Sequence, residues 1–259
     1  MQVCYFASDF HLGAPTKEQS KIRELAIVRW LDYAATDATD IYLVGDVFDF
    51  WFEYAAVIPK GFTRFFGKLA ELADRGIQLH FFYGNHDMWV KHYFTEEFGM
   101  KIYENPIELT LHGKRIYLGH GDGLGPGDRG YKLIKSFLRS KVCQWAFARI
   151  HPNFGIGLAN FFSGKSREGS EHEHQFLGFE HEWLYQFAQG MQQKDPHDYY
   201  IFGHRHLPYA LPIEQGTYFN LGEWIHYQTF MKIDSEIPQY FTWDGQHAHS
   251  YDPPYGKGK

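Results

Sequence analysis

Cysteine is nearly missing from this chain, with only Cys4 and Cys143 among 259 residues. Neither has a partner at CxxC spacing, which argues against both a disulfide frame and a thiolate zinc site. Positive charge is also short. Lys and Arg number 25 against 31 Asp and Glu, a net charge of −6, so the molecule as a whole is not a general nucleic-acid binder. No apolar run approaches the roughly 18 residues of a membrane span. The first residues, MQVCYFASDFH, carry no basic region or cleavage site of a secretory leader, so the expected location is the cytoplasm. No internal repeat of fixed period is present.

Aromatic residues are plentiful: 24 Phe, 18 Tyr and 7 Trp make up 19% of the chain. Such a content suits either an aromatic core or an apolar groove. The Phe48–Phe52 run fits both uses. A chain of this length buries one core, or one core with an appended lobe.

Short apolar runs end abruptly in polar clusters, and the arrangement recurs. Val3 to Ala7 leads into Ser8-Asp9-Phe10-His11, and Asp40 to Val44 into Gly45-Asp46-Val47-Phe48-Asp49. Ile77 to Tyr83 leads into Gly84-Asn85-His86-Asp87, Arg115 to Leu118 into Gly119-His120-Gly121-Asp122, and Tyr199 to Phe202 into Gly203-His204-Arg205-His206. Continuous rather than alternating apolar residues predict central strands buried on both faces. Helical patterns lie between the first strands, over Lys17 to Ala35 and Phe62 to Arg75, the latter meeting Gly76 as a C-cap. On the first of these, Ile22, Leu25, Ala26, Val28, Arg29 and Leu31 suggest an amphipathic face. Alternation of strand and helix predicts an α/β fold; after Lys101 the spacing changes to that of a second sheet. One domain spanning residues 1–259 is expected, with a helical insertion at about 125–190 and a mobile tail at about 244–259.

Loops at one edge of a buried sheet converge, so Asp9, His11, Asp46, Asn85, His120, His204 and His206 are expected to face one crevice. Two carboxylates, four imidazoles and an amide oxygen suit divalent Mn, Fe or Zn. Two ions about 3.5–4 Å apart would neutralise phosphoryl oxygens that repel a nucleophile, and would acidify the water between them. A carboxylate must then bridge the ions, and Asp46 is the candidate. Any one such cluster is more often a plain turn; five in one chain are not.

In order, D-x-H (Asp9, His11), G-D-x-x-D (Asp46, Asp49), G-N-H-D (Asn85 to Asp87), G-H-G-D (His120 to Asp122) and G-H-x-H (His204, His206) resemble the motifs of the calcineurin-like metallophosphoesterases. The resemblance covers roughly residues 1–230 and implies a four-layer α/β/β/α sandwich. It implies one metal on Asp9, His11, Asp46 and His206 and another on Asp46, Asn85, His120 and His204. His86 would protonate the leaving oxygen, while Asp49 and Asp87 would orient histidines or backbone.

Residues 129–167 hold eight Lys or Arg and no Asp or Glu, where about five acids would fall by chance. The same stretch is rich in Leu, Ile, Phe and Trp. It suits an amphiphilic anionic substrate or peripheral contact with an anionic membrane surface; the alternative is an apolar face docked on the sandwich. Here Gly127 to Lys132, Ser163 to Arg167 and Leu221 to Trp224 (L-G-E-W) resemble the UDP-2,3-diacylglucosamine pyrophosphatases of lipid A biosynthesis. That resemblance implies two Mn²⁺ ions, a helical lid over acyl chains and a nucleotide–sugar lipid cleaved to UMP and diacylglucosamine 1-phosphate at the cytoplasmic membrane face. It implies substrate contacts from Asn85, His86, Asp128, Ser166, Arg167, Ser170 and His204. One departure stands out: the G-N-R-D usual in that group is G-N-H-D here. An Arg clamps phosphate but cannot act as an acid near neutral pH, so His86 keeps open a soluble phosphodiesterase or phosphatase of nucleotides or other small esters. A non-catalytic scaffold should lack ligands, and every expected ligand position is filled.

Overall fold

Each apolar run becomes a strand whose two faces are buried against different partners. The computed structural model describes residues 2–126, 129–159, 176 and 178–253. In chain order the strands are β1 (Cys4–Ala7), β2 (Asp40–Leu43), β3 (Gln78–Phe82), β4 (Lys101–Tyr103), β5 (Ile107–Leu111), β6 (Lys114–Gly119), β7 (Tyr199–Phe202), β8 (Pro208–Ile213), β9 (Gly216–Leu221), β10 (Thr229–Ile233), β11 (Gln239–Trp243) and β12 (Ala248–Ser250). One sheet runs β12-β11-β10-β1-β2-β3-β4 and the other β5-β6-β7-β9-β8.

The helices are α1 (Lys17–Ala34), α2 (Thr63–Asp74), α3 (Tyr93–Phe98), α4 (Arg129–Leu138), α5 (Lys141–Phe147), α6 (152–159) and α7 (Trp183–Lys194). Tyr5 and Ala7 pack with residues of α1 and α2, while Cys4 and Phe6 from the same strand join Ile116, Leu118 and Ile201 of the opposite sheet. In β7, Ile201 faces the first sheet and Tyr200 and Phe202 meet Leu184 and Ala188 of α7. Two buried faces per strand explain the unbroken apolar runs, and the result is an α/β/β/α sandwich.

Three expectations need correction. The buried stripe of α1 is Ser20, Arg23, Glu24, Ala26, Ile27, Trp30, Leu31 and Ala34, and Ile22 is 69% exposed. Two charged residues sit inside because they serve the neighbouring loops. Arg23 donates to the Phe10 and His11 carbonyls, both at 2.6 Å, and to that of Ala14. Glu24 accepts from the amides of Arg64 (2.9 Å) and Phe65 (3.2 Å) at the start of α2. Second, the insertion ends before residue 190, since α7 is the outer helical layer on the second sheet. Third, the expected tail is ordered over 244–253: Asp244 accepts from the amides of Gln246 (2.8 Å) and His247 (2.7 Å), which turns the chain into β12 against β11.

Parallel pairing of β1, β2 and β3 brings their C-terminal ends to one edge. Parallel β6 and β7 do the same in the second sheet. Because the sheets pack face to face, the five polar clusters meet at that common edge.

Candidate metal centre

Beyond the strand ends the first two loops stay zipped together. The amides of Asp9, His11 and Leu12 donate to the carbonyls of Gly45 (3.0 Å), Asp46 (2.9 Å) and Val47 (2.9 Å). Five residues of the clusters adopt left-handed backbone: Asp9 (φ 55°), His11 (44°), Asp46 (51°), His204 (70°) and His206 (57°). For non-glycine residues such geometry costs about 1–2 kcal/mol each, so the surroundings must hold it. Asp87 does this for Asp46, accepting from the amides of Gly84 (2.9 Å), Asp46 (3.3 Å), Val47 (2.7 Å) and Phe48 (3.3 Å). Burial, then the charge of Asp46, pushes the Asp87 carboxyl up to about 7. Gly45 is required for close approach, because a Cβ there would stand 2.5 Å from Nδ1 of His120.

The side chains fall into two groups sharing Asp46. Ligand atoms of Asp9, His11, Asp46 and His206 lie within 4.8 Å of one another, and so do those of Asp46, His120 and His204. Oδ2 of Asp46 is 3.9 Å from His11 Nε2 and 3.5 Å from His120 Nε2. Asn85 joins the second group, its Oδ1 3.3 Å from His120 Nε2. Nδ1 of His120 donates to the Val44 carbonyl at 2.9 Å, so that in the neutral ring a cation would require, Nε2 carries the lone pair. The His11 and His206 Nε2 atoms face each other at 3.1 Å. Oδ2 of Asp9 takes the His204 amide (3.0 Å) and the Ser8 hydroxyl, whereas buried Oδ1 meets no well-aligned donor, the closest being His206 Nε2 at 3.2 Å. A buried lone oxygen beside two converging imidazole nitrogens, in a hard and borderline donor set, fits a divalent cation.

The electrostatics point the same way. Burial raises the carboxyls of Asp9 and Asp46, yet the imidazoles of His206 and His120 beside Asp9, and of His120 and His86 beside Asp46, outweigh it and hold both below the ordinary carboxylate range. Burial likewise opposes charge on His120, but Asp46, Asp9 and Asp122 lift it to about 10. His11 and His204 go the other way, pushed down by burial to about 3 and about 4. The cluster therefore calls for positive charge that burial lets only some imidazoles carry, a demand that a cation meets.

His86 stands beside the first group. Its amide donates to Asp46 Oδ1 at 2.9 Å and its Nδ1 to the Asp49 carbonyl at 3.0 Å, with the Asp49 carboxylate 3.9 Å from Nδ1 and 3.7 Å from His11 Nδ1. Phe48 and Trp51 belong to the core, while Phe50 packs on Trp89 and Phe147. Asp128, Ser166, Arg167 and Ser170 lie outside the described residues.

Sequence reasoning missed the residues that brace these loops. Arg205, between the last two histidines, makes a two-pronged bond to Glu182 (3.0 and 2.6 Å), whose side chain is fully buried. Asn220 donates to the Gly203 carbonyl, and Glu223 accepts from the amides of Ile225, His226 and Tyr227. For Asn220 and Glu223 the available signal was a single amide or acid in an otherwise apolar context. Glu182→Ala should cost about 3 kcal/mol of stability by removing the buried carboxylate that takes the two-pronged bond from Arg205. A urea midpoint close to that of the parent protein would refute this bracing role.

The model of the calcineurin-like phosphoesterase family matches residues 4–208. The chain belongs to this family. A UDP-2,3-diacylglucosamine hydrolase of Porphyromonas gingivalis is 37% identical over 255 residues, spanning 93% of this chain and 94% of its own. Enzymes of the same name from Aeromonas hydrophila subsp. hydrophila and Haemophilus influenzae are 30% and 27% identical over 66% and 90% of this chain, and over 69% and 96% of theirs. As a calcineurin-like phosphoesterase with clustered ligands of this kind, the protein is a metal-dependent hydrolase. Among the described residues no helix is long and apolar enough to cross a membrane.

Proposed function

We propose that the protein hydrolyses the pyrophosphate of UDP-2,3-diacylglucosamine to UMP and 2,3-diacylglucosamine 1-phosphate, using two Mn²⁺ ions. The names of its relatives support the substrate class. The observation that carries the lipid part is the face of α4–α6. Leu133, Ile134, Phe137, Val142, Trp145 and Phe154 are 58–75% exposed there, far more apolar surface than a docked helical lobe leaves in water. The lobe is nonetheless fastened beside the site. Trp89 Nε1 donates to the Leu138 carbonyl at 2.9 Å, and Lys135 Nζ lies 2.6 Å from Asp122 Oδ2. Acyl chains on that face, or an anionic membrane surface beneath it, would cover the apolar residues while the Lys and Arg side chains meet the anionic groups.

Asp9, His11, Asp46 and His206 would hold one ion, and Asp46, Asn85, His120 and His204 the other. When bound, the ions offset the charge of the phosphoryl oxygens and acidify the attacking water. Asn85 and His204 would also touch the phosphoryl group, and His86, holding its Nδ1 proton on the Asp49 carbonyl, can transfer a proton at Nε2. Fe or Zn fits the same donors.

The deciding assay is UMP release from UDP-2,3-diacylglucosamine in detergent, with Mn²⁺-loaded and EDTA-stripped protein. Metal-dependent release at catalytic rates is the expected result. A second reading, motivated by His86, is a phosphodiesterase or phosphatase of small soluble esters. It gains if the lipid substrate is untouched while a soluble diester turns over at a rate indifferent to detergent.

A further inference from the structure

We infer that the cleft between the β3–β4 edge and α4 is the subsite for the pyrimidine nucleoside of the substrate, with Asn105 on its rim reading the base. The inference rests on the proposed nucleotide–sugar substrate and assigns one of its two ends to a place in the fold. The cleft is concave and open to solvent, the form in which small ligands are usually held. Its walls are Phe82, Tyr83 and Tyr103 with the segment Glu104-Asn105-Pro106 on one side, and His120 to Leu124 with Lys135 on the other. His120 belongs to the Asp46–His120–His204 group. A phosphoryl group seated on that group therefore has an open path for one substituent along the cleft.

The aromatic wall is preformed. Tyr103 stacks on Phe82 with ring centroids 4.7 Å apart, and its hydroxyl meets His80 Nδ1 at 3.0 Å. The Tyr83 amide donates to the Tyr103 carbonyl at 2.9 Å, while its hydroxyl donates to the Val90 carbonyl. Arg139 buttresses this wall from the lid. Its guanidinium lies 5.7 Å from the Tyr83 ring centre and donates to the Glu104 carbonyl at 3.2 Å. Arg139 Nε is buried without a hydrogen-bond acceptor. The half-buried Tyr83 and Tyr103 rings, fixed in this way, offer a flat base a stacking surface at little entropic cost.

Polar groups complete the match. Asn105 is exposed on the rim, and a carboxamide presents a donor and an acceptor side by side, complementary to the imide edge of uracil. Lys135 is held at the opposite wall by the Asp122 carboxylate and carbonyl, each at 2.6 Å. A fixed ammonium there suits the phosphate that joins the nucleoside to the metal groups. The exposed apolar surface of α4–α6 is then left for the acyl chains at the other end of the molecule.

Calorimetric titration of the Mn²⁺-loaded protein with UMP, ribose 5-phosphate and inorganic phosphate tests the assignment. UMP should bind about tenfold more tightly than ribose 5-phosphate, the difference being the base. Asn105→Ala, a change on an exposed loop, should bring the two ligands to within about twofold without altering bound manganese. Equal affinities in the parent protein, or an undiminished preference for UMP in Asn105→Ala, would overturn the subsite. Lipid turnover reads separately. UMP release without base preference removes the subsite and keeps the enzyme; base preference without lipid cleavage keeps the subsite and removes the lipid substrate.

Discussion

Asp46→Asn is expected to lower turnover of every phosphoester by about a thousandfold or more, a loss of the size seen when preorganised charge stabilisation is removed. The reason lies in the position of one atom. Oδ2 of Asp46 is 3.9 Å from His11 Nε2 and 3.5 Å from His120 Nε2, so it stands between the two ligand groups. Oδ1 meanwhile holds the His86 amide at 2.9 Å. An Asn of the same shape can keep that amide bond while removing the charge, which separates bridging from scaffolding. If the site holds two manganese ions as proposed, the bound metal counted by mass spectrometry should fall from two ions per chain toward one, with the circular dichroism spectrum unchanged. Retention of both ions would show that another group bridges them.

The second large effect concerns His86. Its Nδ1 faces the Asp49 carbonyl at 3.0 Å, so in the proposed mechanism Nε2 would be the atom that exchanges a proton. His86→Ala should slow hydrolysis of an alkyl phosphodiester by about a hundredfold or more, as general acids contribute 10²–10⁴. A p-nitrophenyl ester, whose leaving group departs without a proton, should lose much less. A sugar phosphate is likewise a good leaving group that departs without a proton, so His86→Arg should retain more activity on a pyrophosphate than on an alkyl diester, since guanidinium clamps phosphate without donating the proton. Equal losses on good and poor leaving groups would reduce His86 to a positioning group.

Much of this architecture was legible in the chain because burial on both faces leaves an unmistakable trace. Runs such as Cys4–Ala7 and Tyr199–Phe202 are apolar throughout, since alternate side chains enter different cores. Clusters such as Gly84-Asn85-His86-Asp87 were legible as a convergent set because each follows a strand, and parallel strands end together. The phase of α1 was not legible. Periodicity assumes that charge points outward, and Arg23 and Glu24 point inward because two loops supply carbonyls and amides for them. Glu182 and Arg205 were invisible for a related reason: 23 residues separate them, and only the packing of α7 on the second sheet brings them together. The ordered 244–253 segment was missed because its turn is made by one Asp accepting two amides, a local bond that composition does not reveal.

The left-handed backbone at Asp9, His11, Asp46, His204 and His206 bears on how the protein would be supplied with its ions. Those conformations are enforced by Asp87, Arg23, Ser8 and the Glu182–Arg205 pair, all through protein–protein bonds. Loading would then be an equilibrium between a finished receptacle and the surrounding pool, unlike small zinc modules whose chain condenses around the ion. Exchange of one divalent ion for another would need no refolding, and occupancy would follow the abundance of each ion weighted by its affinity. The identity of the working metal would thereby become a property of the compartment as much as of the chain.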